Sequence, residues 1–171
     1  PENCIQWIEH PSMDATNALM NHDGVATILA TGGNSMVKAA YSCGKPAMGV
    51  GAGNVPAYIN SSADIEQAVN DIVLSKAFDN GMVCASEQAC IVDEQIYDET
   101  VNLFKKYKAY FASKKEKKML EKFLFNVDSK VDFPKAVLNP DAVGKSVTWI
   151  AKQAGFEISE DISIICVECD E

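Results

Sequence analysis

The chain contains no arginine: all fifteen basic residues are lysine, set against twenty-four Asp and Glu, for a net charge of −9. It therefore lacks the planar guanidinium fork that reads phosphates and guanine edges through paired hydrogen bonds, and its net charge repels a polyanion, so nucleic acid is not an expected partner. No apolar run approaches the roughly 20 residues that cross a bilayer, and no secretory leader is legible, so no membrane association is expected. Histidine is nearly absent; His10 and His22 both sit among polar residues and read as surface positions. Cys166-Val167-Glu168-Cys169 is a lone CxxC with no second ligand pair and no nearby His, which leaves a zinc ligand set incomplete, so no metal is expected. The six cysteines, Cys4, Cys43, Cys84, Cys90, Cys166 and Cys169, are scattered, a pattern of reduced thiols in a cytoplasm rather than of a disulfide framework. The chain starts at Pro1 without a Met and ends just after an apolar strand-like run; it reads as a piece of something longer.

What is present is ample apolar material in an alternating order. With 171 residues and 47% hydrophobic content, the chain can form one domain or parts of two. Residues 4–8 read as a short strand, and Ser12 to His22 as a helix with Ser12 at its N-cap. The run Val25-Ala26-Thr27-Ile28-Leu29-Ala30 has the look of a strand buried on both faces of a parallel sheet. A helix from Ser35 through Tyr41 follows, then a strand at Pro46–Val50 and another at Ala57-Tyr58-Ile59. Ser61-Ser62-Ala63-Asp64 starts a helix whose apolar positions Ile65, Ala68, Val69, Ile72 and Val73 keep a 3–4 spacing, ended by Asp79-Asn80-Gly81. Ala89–Val92 reads as a strand, and Tyr97 to about Tyr107 as an amphipathic helix with Val101, Phe104 and Tyr107 on one side. The eight lysines between Lys105 and Lys122 are interrupted by Glu116 and Glu121 and read as a solvated face or loop rather than an anion patch. Val147–Ala154 reads as a helix closed by Gly155, and Ile162–Val167 as a buried strand. Strands alternating with helices place the chain in the α/β class.

Three stretches carry chemistry. In Phe78-Asp79-Asn80-Gly81-Met82-Val83-Cys84-Ala85-Ser86, a glycine-containing loop presents one cysteine directly after a periodic helix. Cys84 reads as a catalytic nucleophile, because a thiolate attacks carbonyl carbon and leaves an acyl thioester that a second acceptor can take; a packed structural thiol is the alternative. Thr31-Gly32-Gly33-Asn34 stands between a strand and a helix, the arrangement in which backbone N–H groups face a phosphate, though any βα unit can carry a glycine turn. The closely spaced glycines of Gly49-Val50-Gly51-Ala52-Gly53 imitate a dinucleotide fingerprint, but Pro56 and a strand follow where a helix is needed. They read instead as backbone that passes close to a ligand or changes domain. Gly144-Lys145-Ser146 ends like a phosphate loop, but Asn139 stands where the first glycine is required.

The order of these stretches resembles the aldehyde dehydrogenase superfamily: a Thr-Gly-Gly turn before a helix, a glycine-rich strand end with Asn-x-Pro, then a helix and Gly-x-x-Cys. The whole chain resembles the middle of the aldehyde dehydrogenase half of bifunctional aldehyde-alcohol dehydrogenases of fermentative microbes. Leu29-Ala30-Thr31-Gly32-Gly33, Gly44-Lys45-Pro46-Ala47, Gly49-Val50-Gly51-Ala52-Gly53-Asn54 and Phe78 through Gln88 carry that resemblance. It implies that Cys84 is the nucleophile and that Thr31, Gly32 and Gly33, with Gly51 and Gly53, lie at an NAD site. It implies a fold with residues 1–53 from the C-terminal part of a Rossmann-like NAD-binding domain and 54–171 from the N-terminal part of the α/β catalytic domain.

One departure is informative. Hydrolytic members carry a Glu that activates the deacylating water, and Val50 stands at the matching position. A positioned general base contributes roughly 10²–10⁴ in rate, so without it the acyl group is left for a better nucleophile. That fits the CoA-acylating class, with coenzyme A as co-substrate, a small aldehyde or acyl-CoA as substrate, and a reversible reaction running from acetyl-CoA toward ethanol in a bifunctional parent. Iron is expected only in the alcohol dehydrogenase half, and the parent is expected to be a homo-oligomer or filament. The oxyanion Asn and a later Glu-containing segment of the family lie outside this chain, so the isolated chain is expected to be inactive or nearly so. The alternatives are a stand-alone CoA-acylating aldehyde dehydrogenase and a non-catalytic nucleotide-binding module.

Overall fold

The computed structural model describes residues 3–126 and 136–169, and the chain divides into two compact units, Pro1–Gly53 and Asn54–Glu171. Both are α/β.

The first unit is built on a parallel strand pair. Helix α1 (Met13–Asn21) begins where Ser12 Oγ accepts from the Ala15 N–H at 3.0 Å, the satisfaction of an orphan first-turn donor that Ser performs well. Strand β1 (Ile28–Thr31), helix α2 (Asn34–Ser42) and strand β2 (Ala47–Val50) follow, with Ile28 paired to Ala47 and Thr31 to Val50. Met20, Ile28, Ala30 and Ala40 form the core. Two expectations are corrected here. Residues 4–8 form no strand: Ile5 and Trp7 are exposed and the segment is a bend followed by irregular backbone, because alternating apolar residues make a strand only beside a second backbone. The strand after Val25 is shorter than the apolar run and buried on one face only. Ile28 and Ala30 point inward, whereas Leu29 is 73% exposed beside Met48 and Val50.

The second unit holds two further parallel pairs. Strand β3 (Pro56–Ile59) runs beside β4 (Ala89–Val92), connected through helix α3 (Ile65–Ala77) and a 3₁₀ turn at Phe78–Gly81. Asp64 caps α3, its carboxylate accepting from the Gln67 N–H. After helix α4 (Tyr97–Lys106), strand β5 (Ala109–Phe111) pairs with β6 (Ile164–Cys166), with helices α5 (Lys114–Phe125) and α6 (Val147–Ala154) between them. Ile59, Val69, Val73, Ile96, Phe104, Ala109 and Ile164 make one core. The lysine-rich stretch thus contains a strand that its composition concealed. Three of its lysines find partners distant in the chain: Lys106 pairs with Glu66, Lys108 with Asp161, and Lys117 donates to the Glu168 carbonyl.

Helix α5 starts in a capping box, the Ser113 side chain accepting from the Glu116 N–H while the Glu116 carboxylate accepts from the Ser113 N–H at 2.8 Å. Ser113→Ala is expected to lower stability by about 1 kcal/mol, read as a fall in Tm of roughly 2–4 °C. The same box sets a pH dependence. Hydrogen bonds from the Ser113 hydroxyl and N–H hold the Glu116 carboxyl below its ordinary value of 4.5. A depressed folded-state value means the contribution is complete above 4.5 and is lost as the pH falls through the lower folded value. Thermal melts from pH 6 downward should therefore show an acid loss that is smaller in Glu116→Gln.

Candidate active site

Cys84 belongs to the second unit, and its loop is shaped by backbone conformation. Asp79, Asn80 and Gly81 all have positive φ, at 50°, 52° and 73°. Asn and Asp tolerate this left-handed region better than other residues with a Cβ, and Gly most of all, so the three together turn the chain sharply out of α3. A β-turn then spans Val83–Ser86, closed by the Ser86 N–H donating to the Val83 carbonyl at 3.1 Å. The Ser86 hydroxyl donates to the same carbonyl at 2.9 Å, and Ser86 is only 2% exposed. Cys84, next to the turn's first residue, is exposed. Among the described residues its backbone N–H donates to no group.

The loop is tied down on both sides of the thiol. Before it, the Asn80 side-chain amide donates to the Gly144 carbonyl at 3.0 Å. After it, Gln88 exchanges two hydrogen bonds with Val55, its N–H donating to the Val55 carbonyl at 2.9 Å and its Oε1 accepting from the Val55 N–H at 3.3 Å. That pair anchors the segment at the mouth of the β3–β4 ladder.

The other thiols are less suited to attack. Cys90 and Cys166 line a cavity of about 520 Å³ between β4 and β6. Partial desolvation by its neighbours pushes the Cys90 thiol up although the residue is exposed, with Glu87 adding to the shift, and burial together with Cys90 pushes Cys166 up to about 11. A thiol held protonated is a poor nucleophile. Cys43 donates its S–H to the Ala40 carbonyl at 2.9 Å at the end of α2. Cys4 and Cys169 are exposed, with Cys4 in the irregular stretch before α1 and Cys169 beyond β6. All six thiols are free, and among the described residues no three His, Cys, Asp or Glu side chains are grouped to hold a metal ion.

The glycine turn lies in the first unit. Thr31 ends β1, the Gly32 N–H donates to the Val50 carbonyl at 3.1 Å, and Gly33 is the N-cap of α2. No side chain caps this helix and no acidic residue occupies its first turn, which leaves its N–H groups and positive dipole end available to an anion. A Cβ at Gly33 or Gly53 would meet nothing within 4 Å, so both border open space. At Gly51 a Cβ would lie 2.8 Å from Asn34 Oδ1, which also accepts from the Ala52 N–H at 3.4 Å. The structure thus brings Thr31, Gly32, Gly33 and Gly51 to one end of the β1–β2 pair, around the start of α2. An open glycine at an uncapped helix start fits a dinucleotide's phosphates.

The chain has close counterparts in known proteins. The aldehyde dehydrogenase family profile matches residues 1–119. The chain belongs to the aldehyde dehydrogenase family. It is 66% identical over 172 aligned positions to the aldehyde-alcohol dehydrogenase of Streptococcus pneumoniae serotype 4, covering all of this chain and 20% of that protein. It superposes with a TM-score of 0.87 on an acetylating aldehyde dehydrogenase from Geobacillus thermoglucosidasius, at 46% identity over 100% of this chain and 36% of that one. A propionaldehyde dehydrogenase from Rhodopseudomonas palustris, solved with bound CoA and an acylated cysteine, gives a TM-score of 0.82 at 35% identity, covering 95% of this chain and 36% of the other. The chain therefore spans about a fifth of the length of the aldehyde-alcohol dehydrogenases it matches. The aldehyde dehydrogenase architecture accounts for the α/β elements of both units.

The Asn80–Gly144 tie had no signal in the sequence beyond the two residue types themselves. It joins positions 64 apart, and Gly144 drew attention only as part of a rejected phosphate-loop pattern.

Proposed function

We propose that this chain is the central segment of a CoA-acylating aldehyde dehydrogenase that interconverts an aldehyde, CoA and NAD with acyl-CoA and NADH through a thioester on Cys84. In this reading the parent is bifunctional and carries acetyl-CoA through acetaldehyde to ethanol in the cytoplasm, with iron confined to its alcohol dehydrogenase half and the whole assembled as a homo-oligomer or filament. Residues 1–53 are then the C-terminal part of the NAD-binding domain and 54–171 the N-terminal part of the catalytic domain. The observation that carries the reading is Cys84, exposed in an anchored turn inside the stretch matched by the family profile. Identities of 66% and 59% to two aldehyde-alcohol dehydrogenases support the bifunctional parent.

The chemistry follows from the residues. The Cys84 thiolate attacks the aldehyde carbonyl, forming a C–S bond and placing the carbonyl electron pair on oxygen. The Cys84 N–H is free to donate to that oxyanion. Thr31, Gly32, Gly33, Gly51 and Gly53 would hold NAD, which when bound would accept the hydride that the former aldehyde carbon loses as its C=O bond re-forms. Acyl-Cys84 remains, and Val50 offers no base to activate water against it. The CoA thiol attacks the acyl carbon as its thiolate, the Cys84 sulfur leaves as thiolate, and one thioester has replaced another. Run in reverse, acetyl-CoA acylates Cys84 directly.

That reverse step gives the test. Intact-mass measurement of the full-length enzyme after incubation with acetyl-CoA should show one acetyl group on the peptide containing Cys84, and none in Cys84→Ala. An adduct that survives the substitution would overturn the assignment. In product analysis, carboxylate formation should trail CoA ester formation by roughly 10²–10⁴, the contribution of the missing base.

A further inference from the structure

We propose that Asn80 is a positioning residue for acyl transfer: its side-chain amide and Gly144 form a clamp that holds the Cys84 turn in its reactive placement. The inference rests on Cys84 being the acyl acceptor and assigns a role to a loop, just before α6, that carries no catalytic group itself.

The backbone needs such a device. Asp79, Asn80 and Gly81 are three consecutive residues at positive φ, and two of them carry a Cβ that disfavours this region. A conformation of that kind persists where surrounding contacts over-determine it. The contact here is the hydrogen bond from Asn80 Nδ2 to the Gly144 carbonyl, 3.0 Å long and made by residues 64 apart in the chain. It fixes the start of the turn against a different part of the unit rather than against its own helix.

Gly144 is matched to the other side of the same contact. Its φ is 72°, and a Cβ built on it would lie 2.7 Å from Met82 Sδ. The absence of a side chain at Gly144 is what lets Met82 seat there. Met82 stands two residues before Cys84, and Ser86, buried and doubly bonded to Val83, stands two residues after it. The thiol is thus carried on a short exposed arch whose two feet are fixed. Loss of one foot leaves the thiol present but free to wander, and a displacement of about 1 Å at a reacting atom can cost about a hundredfold in rate.

Asn80 has a simpler reading, as a residue chosen only because Asn tolerates positive φ. The two readings separate with Asn80→Gly, which suits the left-handed backbone better but cannot donate to Gly144. In the full-length enzyme, the clamp predicts that Asn80→Gly lowers kcat, and the rate of Cys84 acetylation by acetyl-CoA, by roughly ten- to a hundredfold. KM for acetyl-CoA should stay within about twofold and Tm within a few degrees. Wild-type kcat in Asn80→Gly, with Cys84→Ala inactive, would overturn the clamp while leaving the thioester chemistry standing. An active Cys84→Ala would instead remove the reading on which the clamp rests. Should Asn80→Gly melt early, Asn80→Asp decides: it keeps size and tolerance of positive φ but loses the donor. A kcat loss of the same order supports the clamp, and an unchanged kcat overturns it.

Discussion

Cys84→Ala in the full-length enzyme is expected to abolish CoA-dependent aldehyde oxidation, a fall of about 10⁴-fold or more, the scale seen when a covalent nucleophile is removed. The size follows from the placement of the other thiols. Desolvation pushes the Cys90 and Cys166 thiols up, Cys43 is engaged at the end of α2, and Cys4 and Cys169 lie outside the Cys84 loop. NAD binding should be retained, because the glycine turn belongs to the other compact unit. A coupled absorbance assay for NADH and a fluorescence titration of NAD check the two halves of the prediction. Loss of both together would point to misfolding, and retained turnover would sink Cys84 as the nucleophile.

The largest stability effect is expected at Gly49 rather than at any of the glycines proposed to face NAD. A Cβ there would lie 2.4 Å from Val37 Cγ1 and 2.9 Å from the Tyr41 ring, and the Gly49 N–H already donates to the Tyr41 hydroxyl at 2.9 Å. Helix α2 lies against β2 at a separation only glycine allows, so Gly49→Val must push the helix away or force both side chains off their rotamers. Overpacking of this kind costs about 3 kcal/mol, or roughly 6–12 °C in Tm. Gly53→Ala is the control: a Cβ there meets nothing within 4 Å and the backbone is not left-handed, so its effect should stay within about 0.5 kcal/mol. Thermal melts of the two variants compare them directly. Equal effects would mean that the close approach of α2 to β2 does not limit stability.

The elements legible in the sequence were those whose signals are local. Ser12 before α1, Asp64 before α3 and Gly155 after α6 satisfy orphan backbone groups within a turn of their own position, so residue type and spacing suffice to read them. Exposure of the Cys84 loop was likewise expected from Asp79-Asn80-Gly81, whose left-handed tolerance is intrinsic. Strand β5 has no signature in the sequence because three residues between lysines carry no usable periodicity; its pairing with β6, more than fifty residues on, is what makes it a strand. Residues 4–8 failed in the opposite way, with a strand-like pattern and no partner beside it.

By itself the sequence determined the family: the Thr-Gly-Gly turn, the glycine-rich strand end and the Gly-x-x-Cys loop are residue types at fixed short spacings, legible without the fold. Only the tertiary structure decided which faces are covered and which thiols sit in desolvating surroundings. It also decided that the carbonyl of Gly144 meets the amide of Asn80. Burial and long-range hydrogen bonds depend on what distant segments place beside a residue, and no local pattern encodes that.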